Sequence, residues 1–169
     1  VQLLEAKGAF SVKDLKLIIA PHVIDENHLV EIIRKLKRPY VRYTRADEKN
    51  VRKADCLIVD CFGLLSSIYR YGEIAYIGGG FGVGIHNTLE AAVYGIPVIF
   101  GPKYQKFQEA VQLLEAKGAF SVKDYEELKT LLDRMLTDEV FLRESGMNAS
   151  NYVTGNAGAT DKIMSMINF

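Results

Sequence analysis

Short, almost wholly apolar runs alternate along this chain with stretches in which apolar residues recur every three or four positions, a pattern that predicts strands and helices in turn. The run at 15–20 predicts a buried strand, 26–38 an amphipathic helix, and 40–44 and 56–60 two further strands. A helix is expected over 63–71, a strand over 74–77, a helix over 87–94, a strand over 97–100 and a helix around 105–117. A short strand at 119–122 and helices to the end complete the series. Nearly continuous apolar strands separated by helical segments specify a parallel sheet covered on both faces, so the expected class is α/β and Rossmann-like. Ligands of such sheets sit beyond the carboxyl ends of the strands, near a switch in strand order.

The helix ends carry their own signals. Phe107, Ala110, Val111 and Leu114 form an apolar stripe, Gly118 is the expected C-cap, and Asp124 is placed to cap the helix that follows. Part of this stretch occurs twice: VQLLEAKGAFSVKD stands at 1–14 and again, unchanged, at 111–124. An exact match of this length is not the diverged periodicity of a solenoid. The first copy lacks the upstream half of its helix and is given no functional weight.

Composition narrows the class. With 169 residues, 49% apolar and 25% charged, the chain is long enough for one ordinary globular domain and too apolar for disorder. Lysine plus arginine and aspartate plus glutamate both number 21, so no global field draws in nucleic acid, and none is expected as a partner. Cys56 and Cys61 flank one apolar run and, five residues apart in a strand, would point to different faces, so they are expected to stay reduced, as in a cytoplasmic protein. No apolar stretch approaches the ~20 residues of a membrane span and no signal peptide is visible, so the chain is expected to be soluble. One segment departs from balance: 34–53 holds nine basic residues against Asp47 and Glu48. It reads first as a solvated helix face with a basic loop, and second as a surface for an anionic membrane.

The stretch from Ile74 to Pro102 stands out. Its 29 residues hold one formal charge, Glu90, and glycines at 78, 79, 80, 82, 84, 95 and 101. A strand runs into GGGFGVGIHNTLE and then a helix, an arrangement in which backbone N–H groups can approach phosphate or sugar. Gly80, Gly82 and Gly84 are candidate contacts, with His86 as a candidate donor. The spacing is not the dinucleotide fingerprint, since Ile85 stands where a third glycine belongs and the strand is not the first of the sheet. Glu90 has two readings: three residues after Asn87 it completes a capping box, and in a cleft it is an anionic acceptor. Two more strand ends fall at the same predicted edge, Ala20-Pro21-His22 and Asp60 through Cys61 to Phe62-Gly63-Leu64, and the three loops together outline a cleft. His22, His28 and His86 have no acidic partners at metal spacing except Asp25 and Glu26, which sit at a helix start where capping is the expected role, so neither metal nor cofactor is expected.

The motifs IIAPH, DCFGLLSSIYRYG, YIGGGFGVGIHNTLEAAVYGIPVIFGP and GNAGAT closely resemble the carboxyl half of the 3-deoxy-D-manno-octulosonic acid (Kdo) transferase family, with flanks similar to its Bacteroidetes branch. The most specific element is HN-x-LE-A followed by GIPV-x-x-GP. The resemblance covers 15–169 and implies the carboxyl-terminal, nucleotide-sugar donor-binding domain of a GT-B glycosyltransferase, the amino-terminal acceptor domain being absent. It implies that the CMP of CMP-Kdo rests against Pro21 and His22, against Phe62, Gly63 and Leu64, and against Asn87, Thr88, Leu89 and Glu90, the glutamate holding the ribose hydroxyls. Many members carry arginine where this chain has His22. The catalytic base is implied to be a glutamate of the absent domain, as are the membrane anchor and contact with the lipid A precursor; the first strand of the donor domain, with its Gly-Ser loop, is missing too. The whole enzyme is thus implied to work in lipopolysaccharide biosynthesis at the cytoplasmic face of the inner membrane, and this chain alone to bind nucleotide without turnover. A UDP-sugar transferase or epimerase of the same fold, or a non-catalytic nucleotide-binding domain, would share the glycine loop and the glutamate.

Overall fold

In the computed structural model residues 16–82 and 84–166 are described, so residues 1–14, the first copy of the repeat, lie outside the described residues. The chain divides into two compact units, Val1–Ile68 and Tyr69–Phe169. Among the described residues six parallel strands form two three-stranded sheets, where the sequence pattern predicts one.

In the first unit β1 (Leu17–Ile19) and β2 (Tyr40–Arg42) both pair with β3 (Cys56–Ile58), which is therefore central. The register sets Ile19 and Arg42 against Ile58. Helix α1 (Glu26–Lys35) buries Leu29 against Ile19, Cys56 and Ile58, with Ile32, Ile33 and Leu36 packed around them. Its start is the expected one: Asp25 accepts the His28 N–H at 2.9 Å. It ends three residues earlier than its pattern, because Pro39 disfavours helical backbone at Arg38 and the chain must turn into β2. Strand β2 also stops early. The Thr44 N–H is taken by the Asp60 carboxylate at 2.9 Å, and residues 43–45 form a 3₁₀ turn. Helix α2 (Glu48–Val51), in what reads as a basic loop, is nucleated by a capping box between Asp47 and Asn50. Helix α3 (Leu65–Ile68) covers only the middle of the helix expected at 63–71; residues 69–71 continue as 3₁₀.

In the second unit β5 (Val98–Phe100) lies between β4 (Ala75–Tyr76) and β6 (Ala119–Ser121). All three β5 residues are 0% exposed, as a central parallel strand requires. Helices α4 (Leu89–Ala92), α5 (Gln108–Glu115) and α7 (Glu139–Gly155) close over this sheet through Ala91, Ala92, Ala110, Leu113 and Ala149. The Tyr152 hydroxyl donates to Gln112 at 2.6 Å and fixes α7 to α5. Asp124 caps α6 (Tyr125–Thr137) by accepting from the Glu127 N–H, as expected, and α8 (Ala159–Met166) ends the described chain.

The end of α5 corrects one expectation. The residue in left-handed backbone is Lys117, at φ 60°, not Gly118. Its N–H bonds to the Leu114 carbonyl and that of Gly118 to Leu113, the paired closure of a Schellman turn. Gly118 is needed for space: a Cβ there would stand 2.6 Å from Ala149 Cα on α7.

Candidate functional site

The first unit sets two candidate loops at the carboxyl ends of paired strands. Chain leaving β1 passes through half-buried Pro21 and exposed His22; chain leaving β3 passes through Val59 and Asp60 to Phe62, Gly63 and Leu64. The pairing extends one step beyond β3, the Val59 N–H reaching the Ile19 carbonyl at 2.8 Å, so both loops leave one edge side by side. Phe62 is 82% exposed, and Gly63 has φ 85°, where a side chain would be strained. Below the turn Leu64 immediately precedes α3, its carbonyl accepting from the Ser67 hydroxyl and the Ile68 N–H.

Beneath these loops lies a polar cluster that local sequence reasoning missed. Asp60 accepts from Arg42 Nε at 2.7 Å, from the Thr44 N–H at 2.9 Å and from the Thr44 hydroxyl at 2.6 Å. The outer face of the same guanidinium holds Glu26 at 2.8 and 3.0 Å. Burial by itself would push the Asp60 carboxyl up; the Thr44 hydroxyl and N–H and the Arg42 guanidinium outweigh it and hold it at about 2. Two expectations are thereby corrected. Glu26 serves as an ion-pair partner, while the cap is Asp25 alone, and Arg42, with its side chain 13% exposed, is not part of a solvated basic face. The available signal was an aspartate ending an otherwise apolar strand.

In the second unit β4 opens directly into the glycine loop. Gly79 and Gly80 have φ 92° and 79°, and a Cβ on Gly80 would lie 2.8 Å from Gly101 Cα, so the turns after β4 and β5 touch backbone to backbone. Gly82 is exposed, Gly84 packs under the Phe107 ring, and Val83 lies outside the described residues. The loop returns at His86, exposed, whose N–H reaches the Gly78 carbonyl at 3.4 Å. Lys103, absent from the sequence-derived candidates, donates its N–H to the Gly80 carbonyl at 2.8 Å, and its ammonium reaches the Gly82 carbonyl at 3.4 Å.

The helix start at 87–90 differs in detail from the capping box expected there. The α4 helix has four residues instead of eight, and Thr88 holds the N-cap position with backbone that is already helical. The Asn87 side chain does the capping from one residue earlier, its oxygen accepting the Leu89 N–H and its amide donating to Glu90 Oε1, both at 3.0 Å. Glu90 is half-buried, and its other carboxylate oxygen is not used by that bond. Beside it the Tyr69 hydroxyl is pushed up by burial and by the Glu90 charge. Thr88 is fully buried with no partner for its hydroxyl. The sequence-derived residues thus fall into two groups, Pro21, His22, Phe62, Gly63 and Leu64 on the first unit, and the glycine loop with Asn87, Thr88, Leu89 and Glu90 on the second. Among the described residues no cluster of histidine, cysteine, aspartate and glutamate is built to hold a metal ion, neither cysteine forms a disulfide, and no helix is long and apolar enough to cross a membrane.

No family model matches the chain. It is 38% identical over 135 residues to the 3-deoxy-D-manno-octulosonic acid transferase of Aquifex aeolicus, a match covering 79% of this chain and 36% of that protein. The enzyme of the same name from Rickettsia bellii is 33% identical over 116 residues, covering 67% and 28%. A bifunctional glycosyltransferase/methyltransferase of Fusobacterium nucleatum is 31% identical over 152 residues, covering 83% and 24%. Among solved structures, the C-terminal CMP-Kdo binding domain of WaaA from Acinetobacter baumannii superposes with a TM-score of 0.74 at 20% identity, over 90% of this chain and 80% of that one. The C-terminal domain of a group 1 glycosyl transferase from Francisella tularensis gives 0.53 at 17% identity, over 80% and 65%. The α/β fold expected from the pattern is thus one shared with these two C-terminal domains. In sequence the chain is similar to 3-deoxy-D-manno-octulosonic acid transferases, and it spans only about a quarter to a third of the length of these relatives.

Proposed function

We propose that this chain is the donor-binding part of a Kdo transferase: it binds CMP-Kdo, and the full-length protein transfers Kdo to a lipid A precursor at the cytoplasmic face of the inner membrane. The observation that carries the reading is the 38% identity over 135 residues with an enzyme of that name. The fold shared with a CMP-Kdo binding domain supports it. The proposed contacts are Pro21 and His22, then Phe62, Gly63 and Leu64, then Asn87, Thr88, Leu89 and Glu90.

The chemistry of these groups suits a nucleotide. Glu90 already faces one donor, the Asn87 amide, and keeps an anionic oxygen for the vicinal hydroxyls of a ribose. Around it 29 residues supply no other formal charge, so that acceptor is not competed for by a neighbouring cation on the same stretch. The exposed Phe62 and the turn at Gly63 offer an aromatic face and backbone N–H groups. In the whole enzyme these groups would hold the CMP leaving group while a base outside this chain deprotonates the acceptor hydroxyl.

Calorimetric titration of the chain with CMP and UMP tests the reading. CMP is expected to bind more tightly than UMP, and no Kdo transfer is expected from this chain by itself. Equal affinity for the two would turn the assignment toward a UDP-sugar enzyme.

A further inference from the structure

Resting on the donor reading above, we infer that Lys103 is the cation that receives a negative group of the donor at the glycine loop. CMP-Kdo carries two anionic groups, the phosphodiester and the carboxylate of the sugar acid. None of the nine proposed contacts carries a permanent positive charge, and one of them, Glu90, is itself negative. A dianion brought beside a carboxylate without a compensating cation is electrostatically opposed.

Lys103 is placed to supply that charge. It is the third residue after β5, and its backbone is tied across the loop by the bond from its N–H to the Gly80 carbonyl, 2.8 Å. The Gly80–Gly101 backbone contact holds the same two turns together. The side chain is exposed, and it forms no ion pair with any described residue. Its bond is to one carbonyl, that of Gly82, at 3.4 Å, which is long for an ammonium donor. Two of its three N–H donors remain for an oxyanion lying on the exposed loop. Substituting the side chain leaves the backbone bond in place, so loss of the charge and loss of the loop are separable.

The chain, Lys103→Met and Lys103→Arg are to be titrated with cytidine, CMP and CMP-Kdo, each with its melting temperature. We expect Lys103→Met to bind an anionic ligand about tenfold or more weakly while cytidine binding and melting stay unchanged, and Lys103→Arg to recover most of the loss. A loss seen with CMP assigns the lysine to the phosphate; a loss confined to CMP-Kdo assigns it to the carboxylate. Equal binding of CMP and CMP-Kdo by the chain and Lys103→Met overturns the inference and leaves the donor reading standing. If the unsubstituted chain binds none of the three, both fall.

Discussion

Single residues decide both the stability of the first unit and the nucleotide chemistry proposed for the second. Asp60 is the clearest structural case, since its carboxyl lies at about 2 in the fold against 3.8 for the free group. A depressed folded value stabilises above the unfolded value and stops doing so as the pH falls through the folded one, so Asp60 contributes about 2 kcal/mol above about pH 4 that disappears toward pH 2. Urea unfolding from pH 6 to pH 2.5 is expected to show this loss in the native chain and a flatter curve, lower at pH 6, for Asp60→Asn; parallel curves would remove Asp60 as the source. Glu90 separates capping from recognition. Glutamine at 90 keeps an oxygen for the Asn87 amide, so Glu90→Gln is expected to melt as the native chain does. Without the charge it should bind CMP roughly tenfold to a hundredfold more weakly, because a hydrogen bond to a charged group is worth about 1.5 to 3 kcal/mol. Glu90→Ala is expected to lose both affinity and some stability. Near-native CMP affinity in the glutamine variant would leave Glu90 as a helix-start residue and nothing more.

At the scale of elements the pattern of apolar residues located every strand, while the ends of elements depended on contacts that the pattern does not contain. Strand β5 was legible because a central parallel strand is apolar throughout, and Asp25 and Asp124 were legible because capping is local. The early end of β2 was not, since it follows from Asp60, 16 residues from Thr44. The end of α5 differs from its pattern for a related reason: conformational preference alone puts glycine at the left-handed position, whereas packing against Ala149 claims Gly118 and leaves that position to Lys117. Lys117→Gly is therefore expected to stabilise by about 0.5 to 1 kcal/mol, read as a higher melting temperature, and Gly118→Ala to destabilise by more, since it collides with helix backbone. A Lys117→Gly variant that melts lower would show that its side chain contributes something the turn geometry does not reveal. At the site itself, the Asn87–Glu90 pair was visible at its spacing of three, but not that the side chains bond to each other; Lys103 was invisible because the strand order, not the sequence, puts the turns after β4 and β5 side by side.

For the molecule as a whole, the equal counts of acidic and basic residues conceal an uneven distribution. The nine cations of 34–53 are reduced by Arg42, which Glu26 and Asp60 neutralise, and the remainder lie on helix ends and the α2 region. That arrangement favours the solvated reading, and co-sedimentation with vesicles rich in anionic lipid is expected to be weak and unchanged when Arg34, Lys37, Lys49 and Arg52 are neutralised; strong binding lost in that variant would restore the membrane surface. One local feature also offers a reporter for the larger question of ligand engagement. The Lys103 amide lies on an exposed loop and is held by the Gly80 carbonyl, so its exchange with deuterated solvent is limited by how often the two turns part. A ligand that seats on the glycine loop is expected to slow that amide, and its rate would then report occupancy without a label and without catalysis.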